Sequence, residues 1–372
     1  MYARWPVRSA YSEIIPAGRK LSSQPDPDNT GGGSMKTRLF TIFHFIFIIT
    51  SVFAFGQIDS DARKNQVIVY TYDSFISEWG PGPVLEKEFK EATGLDVIFI
   101  DAGDGGQIMS RATLEKNNPQ ADILLGIDNN QLDTARKADI LEPYKPLEAE
   151  KNISKEFLLC DDYLITPFDW SHFAMIYDSK SSVPRPESLK DLTKDIYRKK
   201  IILMDPRTST PGLGFVAWTV AVFKENYLDF WTALKPNILT MAPGWSTGYG
   251  LFTSGEAPLV ISYTTSPAYH VEYEEENRFQ AIIFAEGHTR QIEGAGLVKN
   301  SANPEGAKKF LDFIVSAKVQ ENIPLTQWMY PVNPNVKLPE SYSYAPAAEK
   351  TLTIDDETLS MAVSNVMNLL AK

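Results

Sequence analysis

Residues 66–100, QVIVYTYDSFISEWGPGPVLEKEFKEATGLDVIFI, contain the stretch that predicts the fold. Residues 67–71 form a short apolar run, as expected of a buried strand. Residues 83–93 have apolar side chains at helical spacing, with Pro83 at the start and Gly94 immediately after the end, which are typical helix boundaries. Residues 95–100 form a second apolar run. This order predicts two parallel strands joined by a helix.

The same alternation continues through the chain. It predicts helices at residues 107–116, 130–138, 186–191, 211–224, 304–316 and 355–370, and strands at 121–126, 201–204, 260–263 and 280–284. An extended segment at 164–178 leaves the first set of elements, and the chain returns to it around 285–298. We therefore expect an α/β protein with two lobes, each a mainly parallel sheet flanked by helices, joined by two crossings and separated by a ligand cleft. Lobe 1 comprises 66–165 plus 290–372, and lobe 2 comprises 166–289.

Composition limits the classes of function. The chain has 372 residues and a formal net charge of -11, with a pI near 5.0, which argues against a nucleic-acid partner. Cys160 is the only cysteine, and there are four histidines, so no zinc cluster is expected. We expect no metal site and a monomeric protein.

The amino-terminal 56 residues have the pattern of an export signal. Residues 1–34 lack periodicity and are interpreted as a non-native upstream extension before the start at Met35. Residues 35–56 combine a basic start, an apolar segment at 39–55 and small residues around Gly56, as a cleaved signal peptide does. The alternative is a retained membrane anchor. Removing residues 1–56 deletes six basic and three acidic residues, so the net charge changes from -11 to -14.

Aromatic residues among turn-forming residues predict a binding surface. Trp245 lies in the stretch APGWSTGYG (242–250), and Tyr263 and Tyr269 lie in SYTTSPAYH (262–270). Glycine, serine, threonine and proline around an aromatic ring leave its face uncovered, which suits a flat or cationic ligand. The alternative is ordinary packing of each ring.

Polar residues at predicted strand and helix ends are further candidates. Ser209 and Thr210 precede Pro211, so they begin a helix whose free N–H groups form an anion site. Asp73 and Asp128 follow the first and third predicted strands, where a cleft ligand would lie. Capping or turn formation is the alternative for each. Arg207 is expected either to assist the anion site or to form a local ion pair.

Several blocks of sequence resemble the thiamine-binding periplasmic proteins of bacterial ABC importers. They are YTYDSF (70–75), WGPGP (79–83), DPRTSTPGLG (205–214), GWS (244–246), SYTTSPAYH (262–270) and WMYP (328–331). The resemblance implies a two-lobed periplasmic binding protein fold of type II in the periplasm. It further implies that the fold closes on thiamine or its mono- or diphosphate as transported ligand, needs no cofactor, and docks on an ABC permease in the inner membrane. In this family pattern Trp245, Tyr263 and Tyr269 wall the ligand rings and Trp328 closes another side.

Two other classes share this fold. Thiamine-degrading enzymes of the thiaminase I type use a cysteine nucleophile and an acidic base. Here Cys160 precedes two aspartates, which raise a thiol pKa, and we interpret it as structural. Binding proteins for polyamines or ferric ion would need several cleft carboxylates or paired tyrosines. The three histidines His172, His270 and His288 are expected to be hydrogen-bonded or exposed rather than functional.

Overall fold

The computed structural model describes residues 63–372 of the chain. The predicted extension at residues 1–34 and the predicted signal peptide at 35–56 lie outside the described residues. Within residues 63–372 no helix combines the length and apolar character needed to cross a lipid bilayer.

The described residues alternate between strands and helices. The strands are β1 (Gln66–Thr71), β2 (Asp96–Asp101), β3 (Ile123–Asp128), β4 (Leu141–Glu142), β5 (Thr166–Asp178), β6 (Ile201–Met204), β7 (Ile238–Ala242), β8 (Leu259–Tyr263), β9 (Phe279–Ile282), β10 (His288–Val298), β11 (Tyr330–Pro331) and β12 (Thr351–Leu352). The helices are α1 (Asp73–Ile76), α2 (Gly82–Thr93), α3 (Gly105–Leu114), α4 (Leu132–Ala138), α5 (Ala149–Asn152), α6 (Thr210–Phe223), α7 (Tyr227–Leu234), α8 (Trp245–Thr253), α9 (Ser266–Glu274), α10 (Pro304–Ile314), α11 (Ala317–Thr326) and α12 (Asp356–Leu370). Short 3-10 turns complete the set.

Local signals set the boundaries of these elements. Proline lies in the first turn of α2, and Gly94 ends that helix with φ 75°, a left-handed conformation that glycine adopts without a steric penalty. The Gly94 N–H donates to Lys90 O at 2.9 Å. The predicted start and stop of this helix are therefore both confirmed.

Two groups of parallel strands are joined through two antiparallel strands. The strand order is β2-β1-β3-β10-β5-β8-β6-β7. β1 is parallel to β2 and β3, and β6 is parallel to β7 and β8, whereas β10 and β5 run antiparallel to each other and to β3 and β8. The α/β class is confirmed, but the pairing within the described residues is mixed rather than mainly parallel: five strand pairs are parallel and six are antiparallel.

The long strand β5 and strand β10 are the crossing segments. Residues 166–172 of β5 pair with β10, while residues 173–178 pair with β8 and β9. Strand β10 pairs with β3 through its carboxyl half and with β12 through its first residues. A single strand thus takes part in both groups, because its backbone donors and acceptors are paired first on one side and then on the other.

Two hydrophobic cores lie on either side of the crossings. The first contains buried residues of β1, β3, α2, α10 and the end of β10, and the second contains those of β6, β8, α6 and α7. Helix α12 differs from the predicted grouping with lobe 1, because Leu359, Ala362 and Val366 are buried in the second core. The apolar face of α12 packs on α6 and α7. The sequence pattern predicts this apolar face but does not show which lobe covers it.

Candidate functional site

The carboxyl ends of the parallel strands bring the predicted residues to one region. In such sheets the loops after the strands surround the ligand crevice. The residues at these ends are Tyr72 and Asp73 after β1, Asp128 at the end of β3, Ser209 and Thr210 after β6, Trp245 after β7, and Tyr263 at the end of β8.

Trp245 is the first residue of helix α8. Its ring stacks on Tyr249 with centroids 4.8 Å apart and planes at 18°, and its indole N–H donates to Ser262 Oγ at 2.8 Å. The side chain is half-buried. The stacking and the hydrogen bond together fix the orientation of a partly open indole.

Tyr263 lies where the two cores meet, since it packs against both of them. Its ring stacks on Phe173 with centroids 5.5 Å apart, and its hydroxyl donates to Gln291 Oε1 at 2.8 Å. Burial, and the charges of Asp104 and Glu293, raise the pKa of Tyr263 well above its usual value. The phenol is therefore neutral and placed beside carboxyl groups.

Tyr269 and Trp328 meet edge to face, with centroids 5.3 Å apart and planes at 83°. Trp328 is buried and has φ 60°, a left-handed backbone conformation that is costly for a bulky residue. Its indole Nε1 makes no hydrogen bond within the protein. A strained residue with an unpaired buried donor is typical of a functional position.

Ser209 and Thr210 begin helix α6, as predicted, with Pro211 in its first turn. Both side chains are buried, and Ser209 Oγ makes no hydrogen bond, so it does not cap its own helix. Arg207 instead binds Asp205 locally, its Nε donating to Oδ1 at 3.0 Å. The local ion pair was one of the two predicted roles of Arg207.

The two predicted aspartates have different surroundings. Asp73 is exposed, and its Oδ1 accepts from Ser246 Oγ at 2.7 Å across the space between the lobes. Asp128 is fully buried and accepts from the N–H of Asn130 at 2.9 Å and from its Nδ2 at 3.1 Å, as a cap does. Burial raises the pKa of Asp128 to about 7.

The segment Asp104-Gly105-Gly106 was missed by the sequence analysis. Asp104 Oδ2 accepts from the Trp245 N–H at 3.2 Å, and the Gly106 N–H donates to Thr208 O at 3.1 Å. Burial raises the pKa of Asp104 to about 6. Asp104 before two glycines is a recognisable helix start after a strand, but its contacts with the second lobe depend on the fold.

Two buried carboxyl groups beside the predicted Asp128, those of Asp169 and Glu293, were also missed. Glu293 on β10 is the register partner of Asp128 on β3 and of Asp169 on β5. Tyr72 Oη donates to Glu293 Oε1 at 2.7 Å, and Gln291 links Glu293 to Tyr263. These carboxyl groups lie inside strands, where no local motif marks them.

The histidines and the cysteine have structural surroundings. His172 is hydrogen-bonded to Thr351, and His270 to Tyr249 and Glu274. His288 is hydrogen-bonded to main-chain groups of Phe284 and Phe173, so the predicted hydrogen bonding of these three histidines is confirmed. Cys160 is half-buried against the first core, and burial raises the pKa of its thiol. A raised pKa disfavours the thiolate that a nucleophile requires.

Comparison with known proteins agrees with this arrangement. The family model described as bacterial extracellular solute-binding protein matches residues 80–321. A thiamine-binding periplasmic protein of Brucella melitensis is 40% identical over 306 residues, 82% of this chain and 91% of that relative. The thiamine-binding periplasmic protein of Escherichia coli is 40% identical over 279 residues, 75% of this chain and 84% of that relative.

Solved structures similar to this chain include a thiamine-binding protein. A structure described as periplasmic thiamin binding protein superposes with a TM-score of 0.78 at 37% identity, covering 82% of this chain and 96% of that one. A ferric ion-binding protein from Pasteurella haemolytica, at 19% identity and a TM-score of 0.68, shares the fold only. The chain therefore belongs to the bacterial extracellular solute-binding proteins, in the family of the thiamine-binding periplasmic proteins.

Proposed function

We propose that this chain captures thiamine and its phosphate esters in the periplasm and delivers them to an ABC permease as a monomer. One observation carries the proposal: the half-open faces of Trp245 and Tyr263 lie beside buried carboxyl groups at the junction of the lobes. Thiamine combines flat rings with a permanent thiazolium charge. An aromatic face and a nearby carboxylate both favour such a cation, by about 2 kcal/mol or more for a desolvated ring contact.

The phosphate of a thiamine ester is proposed to bind at the start of α6. Within residues 63–372 the buried Ser209 Oγ makes no close hydrogen bond, although it lies near enough to the Asp104 carboxyl to lower the pKa of Asp104, and the first N–H groups of α6 lie beside it. Hydroxyls and free amides at a helix start bind phosphate without a lysine. We expect Ser209 and Thr210 to contact the phosphate of a thiamine ester.

A role as a binding protein is favoured over a role as a thiamine-degrading enzyme. The relatives at 40% identity are named as binding proteins. Cys160 lies in the segment before β5, against the first core, and its contacts are with Asp162 and its neighbours rather than with the aromatic walls. A thiol in that place has no role in the proposed capture of the ligand.

The proposal is tested by calorimetric titration of the exported chain, residues 57–372. Thiamine, its monophosphate, its diphosphate and spermidine are titrated in parallel. We expect the thiamine compounds to bind with one site per chain and spermidine to give no heat. Tighter binding of spermidine, or no heat of binding with any of the three thiamine compounds, would contradict the proposal.

A further inference from the structure

Asp169 and Glu293 form a buried acidic pair on the two crossing strands. They are direct register partners in the antiparallel pairing of β5 with β10. Asp169 is fully buried and Glu293 is 4% exposed. Two carboxyl groups placed together out of water do not both ionise, because each charge opposes the other and burial opposes both.

The two members of the pair have different hydrogen-bond partners. Glu293 accepts from Tyr72 Oη at 2.7 Å and from Gln291 Nε2 at 3.3 Å. Within residues 63–372 the carboxyl oxygens of Asp169 make no close hydrogen bond, and the nearby amide of Gln327 only partly offsets the effect of burial on its pKa. Donated hydrogen bonds favour the charged form of a carboxyl group. Of the two, Glu293 is therefore better stabilised as an anion, and Asp169 is the member that more readily holds a proton.

The pair is connected to the binding region by side chains from both lobes. Tyr72 follows β1, and Gln291 joins Glu293 to the Tyr263 hydroxyl of β8 at 2.8 Å. Four neighbouring side chains also affect the pKa values of the pair. They are the carboxyls of Asp104 (before α3) and Asp128 (β3), the phenol of Tyr72 and the amide of Gln327 (after α11). Burial is the main reason that the pKa of Tyr342, which follows β11 and lies near Asp169, is raised well above its usual value. Burial raises the pKa of both Asp169 and Glu293 well above the usual range.

We propose that Asp169 and Glu293 neutralise the cation of the ligand by proton exchange: when a thiazolium cation binds, Asp169 releases its proton to the solvent. The O–H bond of Asp169 breaks, its electron pair stays on the carboxylate, and the buffer takes the proton. The unpartnered oxygens of Asp169 thereby gain a cationic neighbour. This inference rests on the proposed function, since it assigns the charge-compensating residue of that same site.

The exchange makes binding depend on pH. Binding releases a proton when the pH is below the value at which Asp169 ionises in the ligand-free protein. A higher proton concentration therefore weakens binding. The dissociation constant for thiamine is expected to rise about tenfold per unit of falling pH, as proton linkage requires for one proton.

The experiment counts protons by calorimetry. Thiamine is titrated into the full exported chain at pH 7 in phosphate, imidazole and Tris, which differ in ionisation enthalpy. The slope of the observed heat against buffer enthalpy is expected to be about one proton released per thiamine bound. The uncharged 4-amino-5-hydroxymethyl-2-methylpyrimidine, which lacks the thiazolium, is expected to release none. These two arms need no variant, and a slope near zero for thiamine would overturn the inference.

A pair of variants identifies the proton donor. Asp169→Asn has the shape of the protonated acid, and it is expected to abolish proton release and to weaken thiamine binding at least tenfold. Asp139→Asn is the matched control, because Asp139 is exposed, bonds Lys299 and is not among the residues of the proposed site. It is expected to retain the release of one proton. Release unchanged in Asp169→Asn would refute the assignment.

The outcomes separate the two proposals. Thiamine that binds without proton release contradicts the exchange and leaves the proposed function standing. An absence of thiamine binding in every buffer contradicts the proposed function itself.

Discussion

Trp245 shows how one residue connects the two lobes. Its ring is held in the second lobe by Tyr249 and by Ser262, while its backbone N–H donates to the carboxyl of Asp104 from the first lobe. A rigid ring loses little side-chain entropy when a ligand packs on it, so its contribution to affinity is large.

Replacing Trp245 is expected to weaken ligand binding without unfolding the protein. Trp245→Ala removes the ring face, and we predict a loss of about 1–3 kcal/mol in the free energy of thiamine binding. Trp245→Phe retains an aromatic face and should recover part of the loss. Titration calorimetry gives the affinities and circular dichroism checks the fold. Equal affinity in wild type and Trp245→Ala would contradict the aromatic wall.

Asp104 links pH to the stability of the ligand-free protein. Its pKa is about 6 in the fold against 3.8 for a free aspartate, mainly because of burial. A raised pKa means that its contribution to stability is complete below about pH 4 and is lost as pH rises through 6. The free energy of unfolding of the wild type should fall between pH 4 and 7, and Asp104→Asn should reduce this fall by up to about 3 kcal/mol.

Urea unfolding at several pH values measures this effect. Asp139→Asn is the control, because Asp139 is an exposed carboxyl whose pKa is lowered by Lys299, so its titration lies below this pH window. It should leave the slope between pH 4 and 7 unchanged. Parallel curves for wild type and Asp104→Asn would exclude Asp104 as the cause.

At the scale of elements, helix α6 begins beside the proposed phosphate position. Ser209 precedes the helix, yet its hydroxyl does not cap it. The helix retains its start through Pro211 and through the Leu213 N–H, which donates to Ser209 O at 3.0 Å. The hydroxyl therefore has no capping bond to lose.

Ser209→Ala is expected to affect the binding of thiamine monophosphate and of thiamine differently. It should weaken thiamine monophosphate binding by about 1.5–3 kcal/mol, the size of a hydrogen bond to a charged group, and change thiamine binding little. Both affinities come from calorimetry on one preparation. Asn303→Ala at the start of α10, where Asn303 Oδ1 does accept from the Gly306 N–H at 3.0 Å, should instead lower stability with the ligand preference unchanged. An equal loss for both ligands in Ser209→Ala would contradict the anion site.

At the scale of the whole molecule, the two lobes touch through backbone as well as side chains. The Gly106 N–H donates to Thr208 O, and Asp73 accepts from Ser246. Glycine is required at residue 106, because a Cβ there would lie 2.5 Å from Arg207 O of the other lobe. This contact exists only when the lobes are together.

Gly106→Ala is therefore expected to oppose closure. The overpacked contact should cost about 1–3 kcal/mol of ligand affinity and increase the radius of gyration of the liganded protein in solution scattering. Gly250→Ala in α8 is the matched control, since its Cβ meets nothing within 4 Å. Tight thiamine binding by a compact Gly106→Ala protein would show that closure does not use this contact.

Sequence patterns predicted the elements because their causes are local. Pro83 and Gly94 bound α2 through proline and glycine backbone preferences, and the apolar run at 201–204 coincides with β6. The packing of α12 was not predictable in this way. Its apolar face fits either core, and only the position of α6 and α7 decides which one covers it.

The amino-acid sequence by itself determined the strands, the helices, the two groups of parallel strands and the aromatic and hydroxyl residues that follow them, since neighbours in the chain control all of these. Only the tertiary structure brought Asp169 beside Glu293, and Asp104 to the amide of Trp245. These pairs are 124 and 141 residues apart in the chain, and their carboxyls acquire raised pKa values through burial and mutual charge. Such properties depend on distance in space, which the pairing of β5 with β10 and the contact of the lobes create.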